Sequence, residues 1–193
     1  MQMFLWSNDE GILDVGAPIN KTYPTGTASF GPRNFELTNQ TVVLGNDGVV
    51  EPPPMPGGAS GTLTDGCSAL PPAVAGKVVM VDRGYCGFAV KAANAKAANA
   101  AGLIIVNNTG TNPVGMGGSA DLTLPPTLSI SKPNGDAVKA ALGAGTVNIT
   151  RMKRISGVEH DGTIDIELDV GQDRLRATGV GGRVLPPRPV IGF

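Results

Sequence analysis

The sequence predicts a mixed α/β domain with a βαβ unit at its centre and β-rich flanks. Three observations carry that expectation. VVMV (78–81) and LIIV (103–106) are short continuous apolar runs of the kind buried on both faces of a sheet. Between them, FAVKAANAKAANAAG (88–102) is alanine-rich and free of proline, a composition with high intrinsic helix propensity. The 28 glycines and 16 prolines among 193 residues fall mostly in 16–61, after Asn108 and beyond Gly171, which excludes a helical bundle and implies long loops around a regular centre.

Taken in chain order, residues 1–9 alternate apolar side chains, with Met3 and Leu5 on one side and Phe4 and Trp6 on the other, and predict a strand. Between Gly16 and Pro56, the short β-prone pieces TASF and TVVLG separated by Pro, Gly and Asn predict antiparallel strands and turns. EPPPMPGGASG (51–61) is a loop and hinge, because consecutive prolines fix φ and remove backbone donors. The chain is accordingly divided into a β-rich lead-in at 1–59, a core at 60–152 and an extension at 153–193.

In the core, VVMV ends at the turn-like DRGYCG and the alanine-rich helix follows. Val90, Ala93, Ala97 and Ala101 form the stripe expected to face the sheet, Lys91, Asn94 and Asn99 lie off it, and Gly102 is placed as the C-terminal cap. Strand, helix and strand at this length predict a right-handed crossover joining two parallel strands. After Asn107 and Asn108 come the glycine-rich loop TGTNPVGMGGSAD and the extended LTLPPTLSIS, interrupted by Pro125 and Pro126. Ser131 is a good N-cap for a second helix running through Leu142, ended by Gly143 and Gly145. Thr146 to Met152 reads as a strand, TIDIELDV (163–170) as an edge strand or hairpin arm, and the residues from Gly171 as an extended or poorly ordered tail.

Fifteen basic and sixteen acidic residues give a net charge of −1 and a pI of about 5.8, so no summed positive field gathers nucleic acid or an anionic membrane. No run approaches the roughly eighteen apolar residues of a membrane span, and MQMFLWSNDE lacks the basic start of a signal peptide. Cys67 and Cys86, the only cysteines, are too few for a structural zinc site, and His160 is the only histidine. They lie in turn-like stretches flanking one strand and predict a disulfide; the competing reading is two unlinked buried thiols. Closing a loop of this length stabilises by roughly 3 kcal/mol in the chain-entropy model. A disulfide implies an oxidising compartment, so the chain is expected to be secreted or otherwise extracytoplasmic.

No complete catalytic constellation is present. His160 lacks a G-x-S-x-G serine elbow to serve, and no H-E-x-x-H offers a zinc helix. GVGGRV (179–184) does not open a helix as a dinucleotide fingerprint would, and NDG (46–48) reads as a turn rather than a calcium loop. His160 beside Asp161 reads as an exposed turn residue, and no pair among the sixteen carboxylates stands out for acid/base work. Asn20, Asn39, Asn107 and Asn148 each begin a glycosylation sequon.

The succession GC (66–67), AGKVVMVDRGYCGFAVKAANAKAANAAGLIIVNN (75–108), GMGG (115–118), LPPTLSIS (124–131) and Gly135 resembles the protease-associated domain, with Leu124-Pro125 standing where that family usually has Ile-Pro. The resemblance implies a curved or barrel-like sheet with a few flanking helices and no catalytic residues of its own. It also implies a disulfide between Cys67 and Cys86, in agreement with the reading above. MQMFLW (1–6), PTGTASFGP (24–32) and EHDGTID (159–165) are similar to segments of fungalysin-like secreted zinc metallopeptidases that carry such a domain as an insert.

The function expected is a non-catalytic module of an exported peptidase that binds peptide or protein segments or controls substrate access. Its partners would be substrate segments and the catalytic domain of the parent. Two alternatives are a fragment of a zinc metallopeptidase whose site lies outside this chain, and a purely structural spacer. No cofactor is expected in the chain itself, with zinc assigned to the parent. Candidate binding residues are Arg83 and Tyr85 before the first helix, Asn107 and Asn108 after the second parallel strand, and Met116 in the glycine-rich loop.

Overall fold

A computed structural model describes residues 10–53, 60–155, 166–169 and 174–177. The expected strand at 1–9, His160 and the segments MQMFLW and EHDGTID lie outside the described residues. One compact unit spans Asp9–Ser156. Its elements are β1 (Glu10–Val15), β2 (Lys21–Pro24), β3 (Gly26–Thr27), β4 (Phe35–Leu44), β5 (Val78–Asp82), α1 (Phe88–Ala97), β6 (Gly102–Val106), β7 (Thr127–Ile130), α2 (Lys132–Ala144) and β8 (Val147–Ile155). Described by itself, TIDIELDV supplies β9 (Ile166–Asp169), which pairs antiparallel with β10 (Arg174–Ala177). Part of the stretch read as an extended or poorly ordered tail is therefore the second arm of a hairpin.

All eight strands of the compact unit form one mixed sheet in the order β2-β1-β8-β4-β5-β6-β7-β3. The predicted βαβ unit is present, with β5 and β6 parallel. The parallel set is larger than expected: β4 joins it through Val42 opposite Val78, and β7 through Leu103 opposite Thr127. The sequence places TVVLG in an antiparallel lead-in, but it is antiparallel only towards β8. The sheet curls back on itself, because an added Cβ at Gly11 in β1 would lie 2.9 Å from Leu128 in β7, and Arg154 in β8 donates to the carbonyl of Ala28 at 2.6 Å.

Both faces of β5 and β6 are buried, as their unbroken apolar runs require. Val78, Met80, Ile104 and Val106 face a core shared with Leu13, Ile149, Met152 and Val138 of α2. Val79, Val81, Leu103 and Ile105 face the other core with Phe30, Leu70 and Ala92 and Ala95 of α1. Each fully buried large aliphatic side chain here contributes about 1.5–3 kcal/mol relative to exposure.

The helices show where local patterning misled. In α1 the buried residues are Lys91, Ala92 and Ala95, whereas Val90 is 47% exposed and Ala93 and Ala97 are exposed. The alanines make nearly every face of α1 smooth, so apolar periodicity carries little information, and the polar contacts of Lys91 fix the helix rotation. Asn99, at φ 56, and not Gly102, takes the left-handed position after the helix. Gly102 instead opens β6, where a Cβ would lie 2.9 Å from Leu37 Cδ1. In α2, Ser131 Oγ accepts from Asn134 N at 3.4 Å as the predicted N-cap. That helix continues through Gly143 to Ala144 and ends at Gly145.

Candidate functional site

A groove of about 360 Å³ opens at the carboxyl ends of β5 and β6. Parallel strands end here with their loops leaving the sheet, the usual position of a ligand crevice in an α/β fold. Its walls include Asp82, Arg83 and Tyr85 after β5, Asn107 and Asn108 after β6, and Lys132, Asp136 and Lys139 on α2.

Backbone bonds fix the floor. Arg83 N donates to Val106 O at 2.8 Å and Asn107 N to Ile130 O at 2.9 Å, carrying the parallel ladder one residue past each strand. Arg83 Nη1 then donates to Asn107 Oδ1 at 2.9 Å, and the guanidinium carbon lies 5.8 Å from the ring centre of Phe88. Asn107 is 8% exposed, and its amide nitrogen donates to Asn112 O at 3.0 Å. Its sequon is thus engaged inside the protein, in contrast to the exposed Asn20, Asn39 and Asn148.

Tyr85 stands between Gly84 and Cys86, which are bridged by Cys86 N donating to Gly84 O at 2.7 Å. This turn places Tyr85 at φ 54, an uncommon conformation for a bulky residue, and leaves it 43% exposed. The turn is tied down from beneath by the Cys67–Cys86 disulfide, with Cα atoms 5.7 Å apart. Lys91, fully buried, donates to the carbonyls of Asp65 at 2.6 Å and Gly84 at 2.8 Å. Burial holds its ammonium below the ordinary lysine range, offset in part by Asp65, Asp82, Asp47 and Glu51.

The far wall is charge-paired. Lys139 bridges to Asp82, whose second oxygen accepts from Thr64 Oγ1 at 2.7 Å, and Lys132 pairs with Asp136 at 2.6 Å. Residues 132, 136 and 139 recur at helical spacing, so one face of α2 looks onto the groove. That spacing was visible in the sequence behind the Ser131 cap, and it is the signal that could have found these three residues.

Four of the five candidate binding residues, Arg83, Tyr85, Asn107 and Asn108, are therefore brought together at one groove. Met116 is not: it is 3% exposed, exchanges backbone bonds with Thr27 and Ser29, and packs in the core beside α1. A glycine-rich loop suggested exposure, but this methionine is the apolar anchor that fastens the loop to the sheet.

Among the described residues, Asp47, Glu51 and Asp65 come nearest to a cation-binding arrangement, with carboxylate oxygens within 4.8 Å of one another. Most of those oxygens already serve the loops. Asp65 accepts from the amides of Thr62 and Cys67, Asp47 from those of Val49 and Ser68, and Glu51 from the Ser68 hydroxyl. A zinc centre does not fit these residues, because both cysteines are joined as a disulfide and the carboxylate group has no nitrogen or sulfur partner.

A family model described as the PA domain matches residues 40–138, just over half of the chain. The chain is 29% identical over 151 residues to leucine aminopeptidase 2 of Trichophyton rubrum, which covers 77% of this chain and 26% of that protein. It is 34% identical over 108 residues to an aminopeptidase of Pseudomonas aeruginosa, covering 49% of this chain and 20% of that one. The fold is similar to part of a zinc aminopeptidase from Bacillus subtilis, with a TM-score of 0.51 at 18% identity over 80% of this chain and 33% of the other. The chain spans about a quarter of the length of the first curated relatives it matches.

Proposed function

The chain belongs to the PA domain family, and on that premise we propose that it is a non-catalytic module of a secreted peptidase that binds extended peptide segments in the groove at the ends of β5 and β6. The observation that carries this reading is the convergence of Arg83, Tyr85 and Asn108 on one groove whose floor is held rigid by the Arg83–Asn107 bond. An extended peptide needs donors and acceptors that a finished sheet no longer offers, and loops at strand ends supply them. The wall carries three cations and three carboxylates, so the groove favours a peptide backbone over a highly charged ligand.

By binding substrate segments beside a catalytic domain, the module governs which chains reach that domain. The similarity to aminopeptidases supports a zinc aminopeptidase as the parent, with the metal in its catalytic part. The division at 1–59, 60–152 and 153–193 belongs to the same proposal, with β1 to β4 of the lead-in forming part of the module's sheet.

The experiment is fluorescence anisotropy with a panel of short labelled peptides. The wild-type chain is expected to bind a subset, and Arg83→Ala or Asn108→Ala to weaken binding by about tenfold, the worth of one or two hydrogen bonds. Val50→Ala, at an exposed residue that does not line the groove, is the control. Absence of binding, or equal binding by all variants, overturns the reading in favour of a spacer. Chelator-sensitive casein hydrolysis by the chain alone overturns its non-catalytic part.

A further inference from the structure

We propose that the Cys67–Cys86 disulfide is a thiol-exchange site, in which a low-molecular-weight thiol attacks Cys86 Sγ and Cys67 departs as a thiolate held by Lys91. The two sulfurs have unequal surroundings. Lys91 Nζ lies 3.1 Å from Cys67 Sγ, and the amide of Cys86 points at the same atom from 3.2 Å. Among the described residues no donor reaches Cys86 Sγ. Both cysteines are partly exposed, but Cys86 is flanked by the exposed Tyr85 and Gly87, whereas Cys67 follows the buried Asp65 and Gly66.

A disulfide sulfur is a weak acceptor and a thiolate a strong one, so donors fixed around Cys67 Sγ gain most when the bond opens. The charges near Lys91 come from three further elements: Asp47 and Glu51 after β4, Asp65 in the loop before β5, and Asp82 at the end of β5. None of their carboxylates bonds to Nζ, which spends its other two contacts on neutral carbonyls. The buried ammonium therefore lacks an anionic contact in the oxidised protein, and opening the disulfide would place the new charge on the sulfur that Lys91 Nζ already approaches to 3.1 Å.

The balance is that of ordinary exchange. The external thiolate donates its electron pair to Cys86 Sγ, the Cys67–Cys86 bond breaks, and its electrons leave on Cys67. The product is a mixed disulfide at Cys86. A second thiolate attacks the carrier sulfur of that mixed disulfide, releasing the oxidised carrier and leaving both cysteines reduced. A leaving thiolate met by fixed donors departs faster and makes the bond more easily reduced. Opening also unties the turn that presents Arg83 and Tyr85, although the exchange chemistry does not depend on what the groove binds.

The test is equilibration in glutathione redox buffers with alkylation and intact-mass readout. Lys91→Met is expected to need about a tenfold more reducing thiol ratio for half-reduction and to exchange more slowly; identical midpoints and rates overturn the proposal. If that variant does not fold, the wild-type protein answers alone. Brief glutathione treatment followed by peptide mapping is expected to place the mixed disulfide on Cys86, and placement on Cys67 overturns the proposal. In Cys86→Ser, the alkylation of Cys67 is expected to reach half its maximal rate below the ordinary thiol value of about 8.5, and a value at or above it overturns the proposal.

Discussion

Arg83 Nη1 donates to Asn107 Oδ1 at 2.9 Å, joining side chain to side chain the residues that immediately follow two adjacent parallel strands. Asn107 is buried and also donates to Asn112 O, so it locks the guanidinium and the glycine-rich loop at once. Asn107→Ala is expected to cost about 1–3 kcal/mol in urea unfolding, because it leaves the charged Arg83 donor and the Asn112 carbonyl without their partner. Peptide affinity should fall with it, and unchanged stability would show that the bond is not formed in solution.

Two glycines of α2 should respond in opposite ways to alanine. At Gly135 an added Cβ would lie 2.1 Å from Val106 Cγ1, and Val106 is fixed in the sheet core, so Gly135→Ala should destabilise by about 1–3 kcal/mol. At Gly143 nothing lies within 4 Å and the backbone is helical, so Gly143→Ala should stabilise by about 0.5–1 kcal/mol. Thermal unfolding of the two variants reads the difference directly.

The rotation of α1 can be checked by substitution on its two faces. Ala95 is fully buried against Val79, Val81 and their neighbours, so Ala95→Leu should overpack that core and cost about 1–3 kcal/mol. Val90 is exposed, and Val90→Ala should change stability by less than about 0.5 kcal/mol. The reverse ranking would restore the stripe expected from the sequence.

Asp14 carries an acid-side dependence. The Thr22 hydroxyl at 2.6 Å and the Arg151 guanidinium at 2.8 Å hold its carboxyl below the ordinary 3.8, against the opposing effect of burial. A depressed carboxyl contributes stability that is complete above the unfolded value and lost as pH falls through the folded one. Asp14→Asn should therefore lower stability at pH 7 by about 0.5–1 kcal/mol, a modest figure because the pair is partly exposed. The deficit should shrink below pH 3.8; a deficit independent of pH in urea titrations would refute the assignment.

Much of the regular centre was legible because the signals are local. VVMV and LIIV are unbroken apolar runs, and each became a strand buried on both faces. Ser131 was readable as a cap because capping needs only an oxygen three residues from an amide. The helix rotation was not legible, since the partners of Lys91, the carbonyls of Asp65 and Gly84, are 26 and 7 residues away and lie in loops. Met116 was misplaced for a related reason: composition reports that a loop is flexible in the unfolded chain, not what its one apolar residue finds in the folded one.

By itself, the sequence determined the βαβ centre and the family, because these rest on periodicity, spacing and ordered motifs along one continuous stretch of chain. Tertiary structure alone decided that β4 and β8, more than a hundred residues apart, lie side by side and complete the curled sheet. It alone placed Lys132, Asp136 and Lys139 opposite Arg83 and turned a lysine inward beneath the disulfide. The physical reason is common to both. A strand edge or an ammonium requires hydrogen-bond partners when buried, and only closure of the whole chain determines which distant residues supply them.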